Sequence, residues 1–300
     1  MAPGELEEIA YRAERRALLF GDGEAARARA RRSLLSAGAG VAYEGAIEGG
    51  AERIEAQGHA DLVLVEVDGE APGLVPLLDR IEADLADGRY RAVIATPDAL
   101  IDLVTARIAH RDAEILCRAK EIERVATIAL ACLTPRLRLH DSRQDNQAVL
   151  QQLSDEVARI AGMLSALAEE DGGGETVVAE TEDGSPIDAV MIRSIIRARR
   201  LRDRFFRGGL FADPAWDMLL DLMAARLERN RVAVSSLCIA AAVPPTTALR
   251  WIKALTEKGL FVRSADPADG RRVYIELSDE AARALTAYLR AAQRIAPVGL

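Results

Sequence analysis

Thr246, Arg250 and Lys253 recur at i, i+4 and i+7 in the stretch PPTTALRWIKALTEKG, with Thr247 beside the first of them. That spacing puts two hydroxyls, a guanidinium and an ammonium along one side of a helix. Such a side meets anions. Hydroxyls in the first turn and a guanidinium one turn on reach phosphate or base edges when a helix N-terminus enters a major groove. Backbone N–H groups at the same terminus favour a phosphate. Ala248, Ile252 and Leu255 make the opposite, apolar side, flanked by Leu249. The plainer alternative is a solvated face with two ordinary bases. Further on, Arg271 and Arg272 follow the turn DPADG, and Arg263 sits on the run before it. A two-stranded tip carrying Arg271 can track a phosphate backbone or enter a minor groove, whose potential attracts arginine. Asp269 is placed to hold one of these arginines by a charge-assisted bond. The alternative here is a surface hairpin whose ion pairs are worth about 0–1 kcal/mol each.

The elements that must position these residues can be read on either side. Residues 187–206 form a long Arg-rich helix with Ile192, Ile195, Ile196 and Leu201 as an apolar stripe. Arg193, Arg197, Arg200 and Arg204 line another face, available to a DNA backbone, to the acidic front half or to solvent. Pro214 opens a second helix capped by Asp213 and reaching about residue 227. Residues 230–234 are a short connection or strand, and Ser235 or Ser236 caps a small helix that ends before Pro244. The polar-faced helix then runs over 246–258 with Gly259 past its end. Residues 260–263 and 272–277 read as a hairpin, and Ser278 caps a last helix reaching about residue 293. After the first long helix, three helices, a hairpin and a closing helix are the order of a winged helix-turn-helix.

The stretch TTALRWIKALTEKGLFVRSADPADGRRVYIELSDEA resembles the MarR family of bacterial transcriptional regulators. The resemblance rests on Thr247 and Arg250 of the recognition helix, and on Leu255, Gly259, Leu260 and Arg263 after it. It continues through the Asp269–Arg271 wing core to Leu277 and Ser278 at the last helix. It implies a homodimer paired through the first and last helices, binding double-stranded DNA at a palindromic operator. It also implies an effector, protein or small molecule, without identifying one. Leu249 stands where the family carries a small polar residue and Trp251 is large for its site, so the base contacts differ.

The front of the chain has a different grammar. Residues 17–20, 62–67, 92–95 and 113–117 are apolar runs of strand length, with 41–43 a weaker fifth. Helical segments at 24–35, 50–56, 74–87 and 98–109 alternate with them, the pattern of a doubly wound parallel sheet. Glu66 falls at the C-terminal edge of its strand, where such sheets place their sites. This half resembles the receiver domain of response regulators, with Glu66 at the phosphate-accepting position, Thr96 at the switch hydroxyl and Arg118 near the lysine. The metal-holding acid pair has become Gly21 and Asp22. With one metal ligand gone, the acceptor displaced by a methylene and the lysine replaced by a rigid fork, phosphotransfer is lost. The expectation is a pseudo-receiver in which Glu66 pairs with Arg118. An acid at a strand end in an unrelated α/β domain stays as the alternative.

Charge and composition bound the rest. The 300 residues are half hydrophobic with a net charge of −8. That mean hides a split. Residues 186–300 carry 19 basic and 12 acidic side chains for +7, and residues 1–185 carry 20 and 35 for −15. No apolar stretch reaches the 18 residues of a bilayer span, and the acidic start has no secretory apolar core, so a cytoplasmic protein is expected. Three cysteines and three histidines without metal spacing leave neither a disulfide framework nor a Cys/His metal site. No nucleophile elbow, Walker lysine loop or dinucleotide fingerprint is present, and a non-enzyme without cofactor or metal is expected. A site built from carboxylates alone stays open. Leu150, Leu153, Val157, Ile160, Leu164 and Leu167 form a heptad stripe on a helix over 141–167, and the acidic, Gly-rich 169–186 reads as a linker. The expected plan is a receiver-like α/β domain (1–135), a connecting amphipathic helix (136–168), that linker, and a winged DNA-binding and dimerisation domain (187–300). The expected function is a sequence-specific DNA-binding regulator, against an interaction scaffold that keeps the winged fold without DNA affinity.

Overall fold

Apolar runs without polar alternation must be covered on both faces, and the front of the chain is built that way. The computed structural model describes residues 15–57, 59–133, 187–206, 211–266 and 268–295. The expected 141–167 helix and 169–186 linker lie outside the described residues. Strands β1 (Arg16–Gly21), β2 (Gly40–Ala46), β3 (Leu62–Glu66), β4 (Arg91–Thr96) and β5 (Ala113–Cys117) form one parallel sheet in the order β2-β1-β3-β4-β5. Every residue of the central β3 is buried.

Helices α1 (Glu24–Ser36), α2 (Gly50–Ala56), α3 (Leu74–Ala86), α4 (Ile101–Arg107) and α5 (Glu121–Leu133) connect and follow the strands. A 3-10 turn over Asp98–Leu100 leads into α4. Alternate strand residues serve opposite faces. Leu19, Leu64 and Val93 pack with Leu34 of α1 and Ile128 of α5, whereas Phe20, Val65 and Ile94 pack with Leu77 and Ile81 of α3 and Val104 of α4. This is the doubly wound sheet that the sequence implied. Its chain order reverses between β1 and β3, which places the ends of those strands at a topological switch point. The edges of the sheet are β2 and β5.

The second half comprises α6 (Ala189–Phe205), α7 (Pro214–Glu228), β6 (Val232–Ala233), α8 (Val234–Ala240), α9 (Pro245–Glu257), β7 (Phe261–Ala265), β8 (Val273–Leu277) and α10 (Asp279–Ile295). The strands form an antiparallel sheet in the order β6-β8-β7. Asp213 accepts from Trp216 N at 3.2 Å and Ser278 Oγ from Ala281 N at 3.1 Å, so two helix starts carry the expected acid or hydroxyl, and Asp188, accepting from Met191 N at 2.8 Å, caps α6 in the same way. The start of α8 differs. Ala233 precedes it without a side-chain cap, and Ser235 lies inside the helix, where its own N–H is capped by Asp102 from α4.

A second correction concerns the apolar stripes. Ile192 and Ile195 of α6, with Ala281, Ala282, Leu285 and Leu289 of α10, are buried in the core of this same chain. They are not waiting for a partner. Val190, Leu201, Phe205 and Phe206 at α6 and Tyr288 on α10 are exposed instead. That core is continuous with the sheet domain, because Ile101 of α4 and Cys117 of β5 belong to it. Among the described residues no helix is long and apolar enough to cross a membrane.

Candidate nucleic-acid interface

Two prolines start α9, with Pro244 at its N-cap and Pro245 in its first turn, where a missing N–H costs no helical bond. Ala242 (φ 51°) takes the left-handed conformation that turns the chain between α8 and α9. Ala248, Leu249, Ile252 and Leu255 are buried, as their spacing required. The wing follows. Asp266 accepts from Ala268 N at 2.9 Å and from the Tyr274 hydroxyl at 2.8 Å, which ties the turn to β8. These bonds hold the Asp266 carboxyl below the usual aspartate range. Asp269 accepts from Arg271 N at 3.0 Å and lies 3.5 Å from the Arg272 guanidinium, the local hold expected of it. Arg271 stands out at the tip with 69% of its side chain exposed, 3.9 Å from Glu70.

The polar side of α9 is only partly open to solvent: Thr246 is buried, Thr247 and Lys253 are half-buried, and Arg250 keeps 46% of its side chain exposed. That side is laid against the edge strand β5 and the helices beside it. Thr246, 1% exposed, accepts the Cys117 N–H at 2.9 Å and donates to the Cys117 carbonyl at 3.0 Å. Lys253 Nζ donates to the carbonyls of Arg111 (2.6 Å) and Ala113 (2.9 Å) and to Glu114 Oε1 (2.8 Å). All three ammonium hydrogens are thereby used. Arg250 donates to Thr127 Oγ1 at 2.9 Å, with its Nε 3.9 Å from Glu114. Arg263 of β7 donates to the Thr105 carbonyl, and burial pushes its pKa down. Thr247 is half-buried, and Arg272 stays exposed.

Asp102 completes this seam. It accepts the Ser235 N–H at 2.9 Å and the Ser235 hydroxyl at 2.7 Å, so an acid of the sheet domain caps a helix of the winged domain. The partners Asp102, Glu114, Cys117 and Thr127 were not singled out from the sequence. The one sequence signal for them is the opposition of an acidic front to a basic back. The arginine face of α6 is engaged in part, since Arg197 and Arg204 are exposed. Arg193 binds Asp221 and Glu228 of α7, and Arg200 binds the Ala240 carbonyl.

The receiver-like residues come together only in part. Glu66 is buried at the end of β3, and its Oε1 accepts from Arg29 of α1 at 2.8 Å and from Arg124 of α5. Burial pushes this carboxyl above its ordinary value, against the opposing pull of Arg124 and Arg29. The expected Glu66–Arg118 pair is absent. Arg118 takes a left-handed backbone (φ 52°) just past β5, which turns it outward to Asp98 at 2.9 Å, with 71% of its side chain exposed. Asp22 caps the loop after β3, accepting from Asp68 N at 2.7 Å and Gly69 N at 3.0 Å. Thr96 is buried nearby, its hydroxyl 3.4 Å from the Pro97 carbonyl. A Cβ on Gly21 would sit 2.7 Å from Arg27 Cγ, so the missing second acid has no room.

Residues 220–281 match the family model of the winged helix DNA-binding domain. Solved structures similar to part of the chain include MepR, a transcription regulator of the Staphylococcus aureus multidrug efflux pump MepA. It is 16% identical over 35% of this chain and 73% of its own, with a TM-score of 0.25. A probable transcriptional regulator from Pseudomonas aeruginosa is 29% identical over 37% of this chain and 84% of its own, with a TM-score of 0.25. MarR is 22% identical over 35% of this chain and 74% of its own, with a TM-score of 0.24. No curated protein matches the chain.

Proposed function

We propose that this protein is a sequence-specific DNA-binding transcriptional regulator. It works in the cytoplasm as a homodimer on a palindromic operator. Its sheet domain receives a signal or a partner, protein or small molecule, without phosphotransfer. The observation that carries this proposal is the α8–turn–α9–wing unit within residues 220–281, which match a DNA-binding domain model. In that unit Thr246, Thr247, Arg250 and Lys253 share one side of α9, and Arg271 and Arg272 stand at the wing. The working units are residues 1–135 and 187–300, joined through the 136–168 helix and the 169–186 linker. The dimer is supported by the exposed apolar Phe205, Phe206 and Tyr288 at the ends and flank of α6 and α10. A sheet domain without phosphotransfer is supported by Glu66, whose carboxylate is already engaged by two guanidiniums.

The test is binding of the full chain to duplexes selected from a randomised pool, titrated with salt. Sequence-selective binding that weakens steeply with salt is expected, because each phosphate contact releases counterions. A scaffold with a winged fold and no DNA affinity is the second reading, favoured by the occupied side of α9. Absence of binding at low salt by a folded protein whose α9 has been freed from the sheet decides for the scaffold.

A further inference from the structure

Building on the regulator reading, we infer that the polar side of α9 has two mutually exclusive partners, DNA and the β5 edge of its own chain. The described arrangement is therefore a self-inhibited one, and DNA binding requires α9 to leave the sheet domain.

The groups themselves carry the inference. A helix reads DNA with donors aimed at phosphate oxygens and base edges. Here those donors already meet oxygens of the same kind of placement: the carbonyls of Arg111 and Ala113, the Glu114 carboxylate and the Cys117 carbonyl. The β5 edge and its acid imitate a phosphate backbone. Thr246 is 1% exposed, so no duplex reaches it without separation. Arg250 donates to Thr127 while 46% of its side chain stays exposed, and Arg263 lies against Thr105. The wing tip is only loosely engaged, with Arg271 3.9 Å from Glu70 and 69% of its side chain exposed, so a first electrostatic encounter with DNA is still open to the closed chain. The closure is also imperfectly packed. A cleft of about 160 Å³ lies in the seam between Ile108, Ile115, Leu249 and Ile252. Missing contacts of this sort weaken the hold of one domain on the other.

A closed population lowers apparent affinity by the fraction of chain that is open, so each tenfold of closure is a tenfold loss in binding. Two measurements on the full chain test this. In the first, hydrogen exchange follows the Cys117 and Ser235 amides, which donate to Thr246 and Asp102 across the seam. Addition of a selected duplex should speed exchange at both. Protection that persists at DNA saturation overturns the proposal, because DNA would then be held with α9 still on the sheet.

In the second, Asp102→Ala with Glu114→Ala removes two acids that touch only the winged domain's seam side. Operator affinity should rise at least tenfold. The control Glu48→Ala with Glu52→Ala removes two exposed acids elsewhere on the sheet domain and should change it less than twofold. Equal gains in both pairs, or no gain in the first, overturn self-inhibition while leaving the DNA-binding reading in place. Failure of wild type and of the seam variant to retain any duplex overturns both.

Discussion

Glu66 shows how one carboxylate can be legible in a sequence while its partners are not. Its place at a strand end could be read from LVLVEV, but its counter-charges come from Arg29 and Arg124, on two helices that the sheet brings over it. The arginine expected there, Arg118, is turned away by its left-handed backbone, a conformation that no residue type at that position announces. Arg124 is the more buried of the two guanidiniums on Glu66, and its loss leaves that buried carboxylate with Arg29 and with less compensation for its charge. Arg124→Met should therefore cost about 2 kcal/mol at neutral pH, read as a lower urea midpoint, whereas Arg118→Ala on the exposed pair should cost about 0–1 kcal/mol. The pH dependence has a definite sign. With its folded pKa raised above the unfolded one, Glu66 binds more protons in the native state. Its contribution is therefore full below the unfolded value and lost as pH rises through the folded one. The deficit of Arg124→Met should shrink as pH falls through that window, and a deficit that stays constant would show that Glu66 is not the group exposed by the change. The same occupancy underlies a chemical prediction. Wild-type protein with acetyl phosphate and Mg²⁺ should show no mass increment, and an acid-labile adduct that disappears in Glu66→Gln would restore the phosphorelay.

The elements of the winged half were read with bounds close to those observed, because caps and period-3.6 spacing are local signals. Asp213, Pro214, Gly259 and Ser278 each mark a boundary by chemistry confined to a few neighbouring residues. The start of α8 departs from the expectation for the complementary reason. Its cap is Asp102, more than a hundred residues away, and sequence proximity favours the wrong hydroxyl. The polar side of α9 is legible in the sequence and its covering is not, since helical spacing says which residues share a side and nothing about what lies on it. Two substitutions separate roles within the unit. Arg250→Ala should cost about 1–3 kcal/mol on the preferred duplex and much less on random DNA if Arg250 reads a base edge. Equal losses on both would assign it to phosphate. Arg271→Ala, at the wing tip, should weaken binding on all duplexes alike and lower the salt slope by about one. Unchanged affinity would remove the wing from the interface.

At the scale of the molecule the opposed charges of the two halves acquire a physical meaning. The acidic front does not simply repel what the basic back attracts. Part of it, at Glu114 and Asp102, is spent within the chain. The dimer expected from the α6 and α10 stripes needs a different basis, because those stripes fill the chain's own core. Phe205 and Phe206, 74% and 54% exposed, are candidates for it beside Tyr288. Phe205→Ser with Phe206→Ser should convert a dimer to a monomer by sedimentation without lowering the thermal midpoint by more than about 3 °C, since exposed side chains contribute little to the fold. A dimer that survives both changes would place the pairing elsewhere in the chain.

The position of β5 carries one more consequence. Among the described residues no strand pairs with its outer side, and the hydroxyl of Thr246 and the ammonium of Lys253 cover its Cys117 and Ala113 backbone groups. Whatever lifts α9 away also strips that cover, and bare edge strands recruit other strands. The released form is thus adhesive in a way the closed form is not. Its working life is bounded by how soon DNA, a partner or α9 itself comes back, and its tendency to precipitate should rise with its activity.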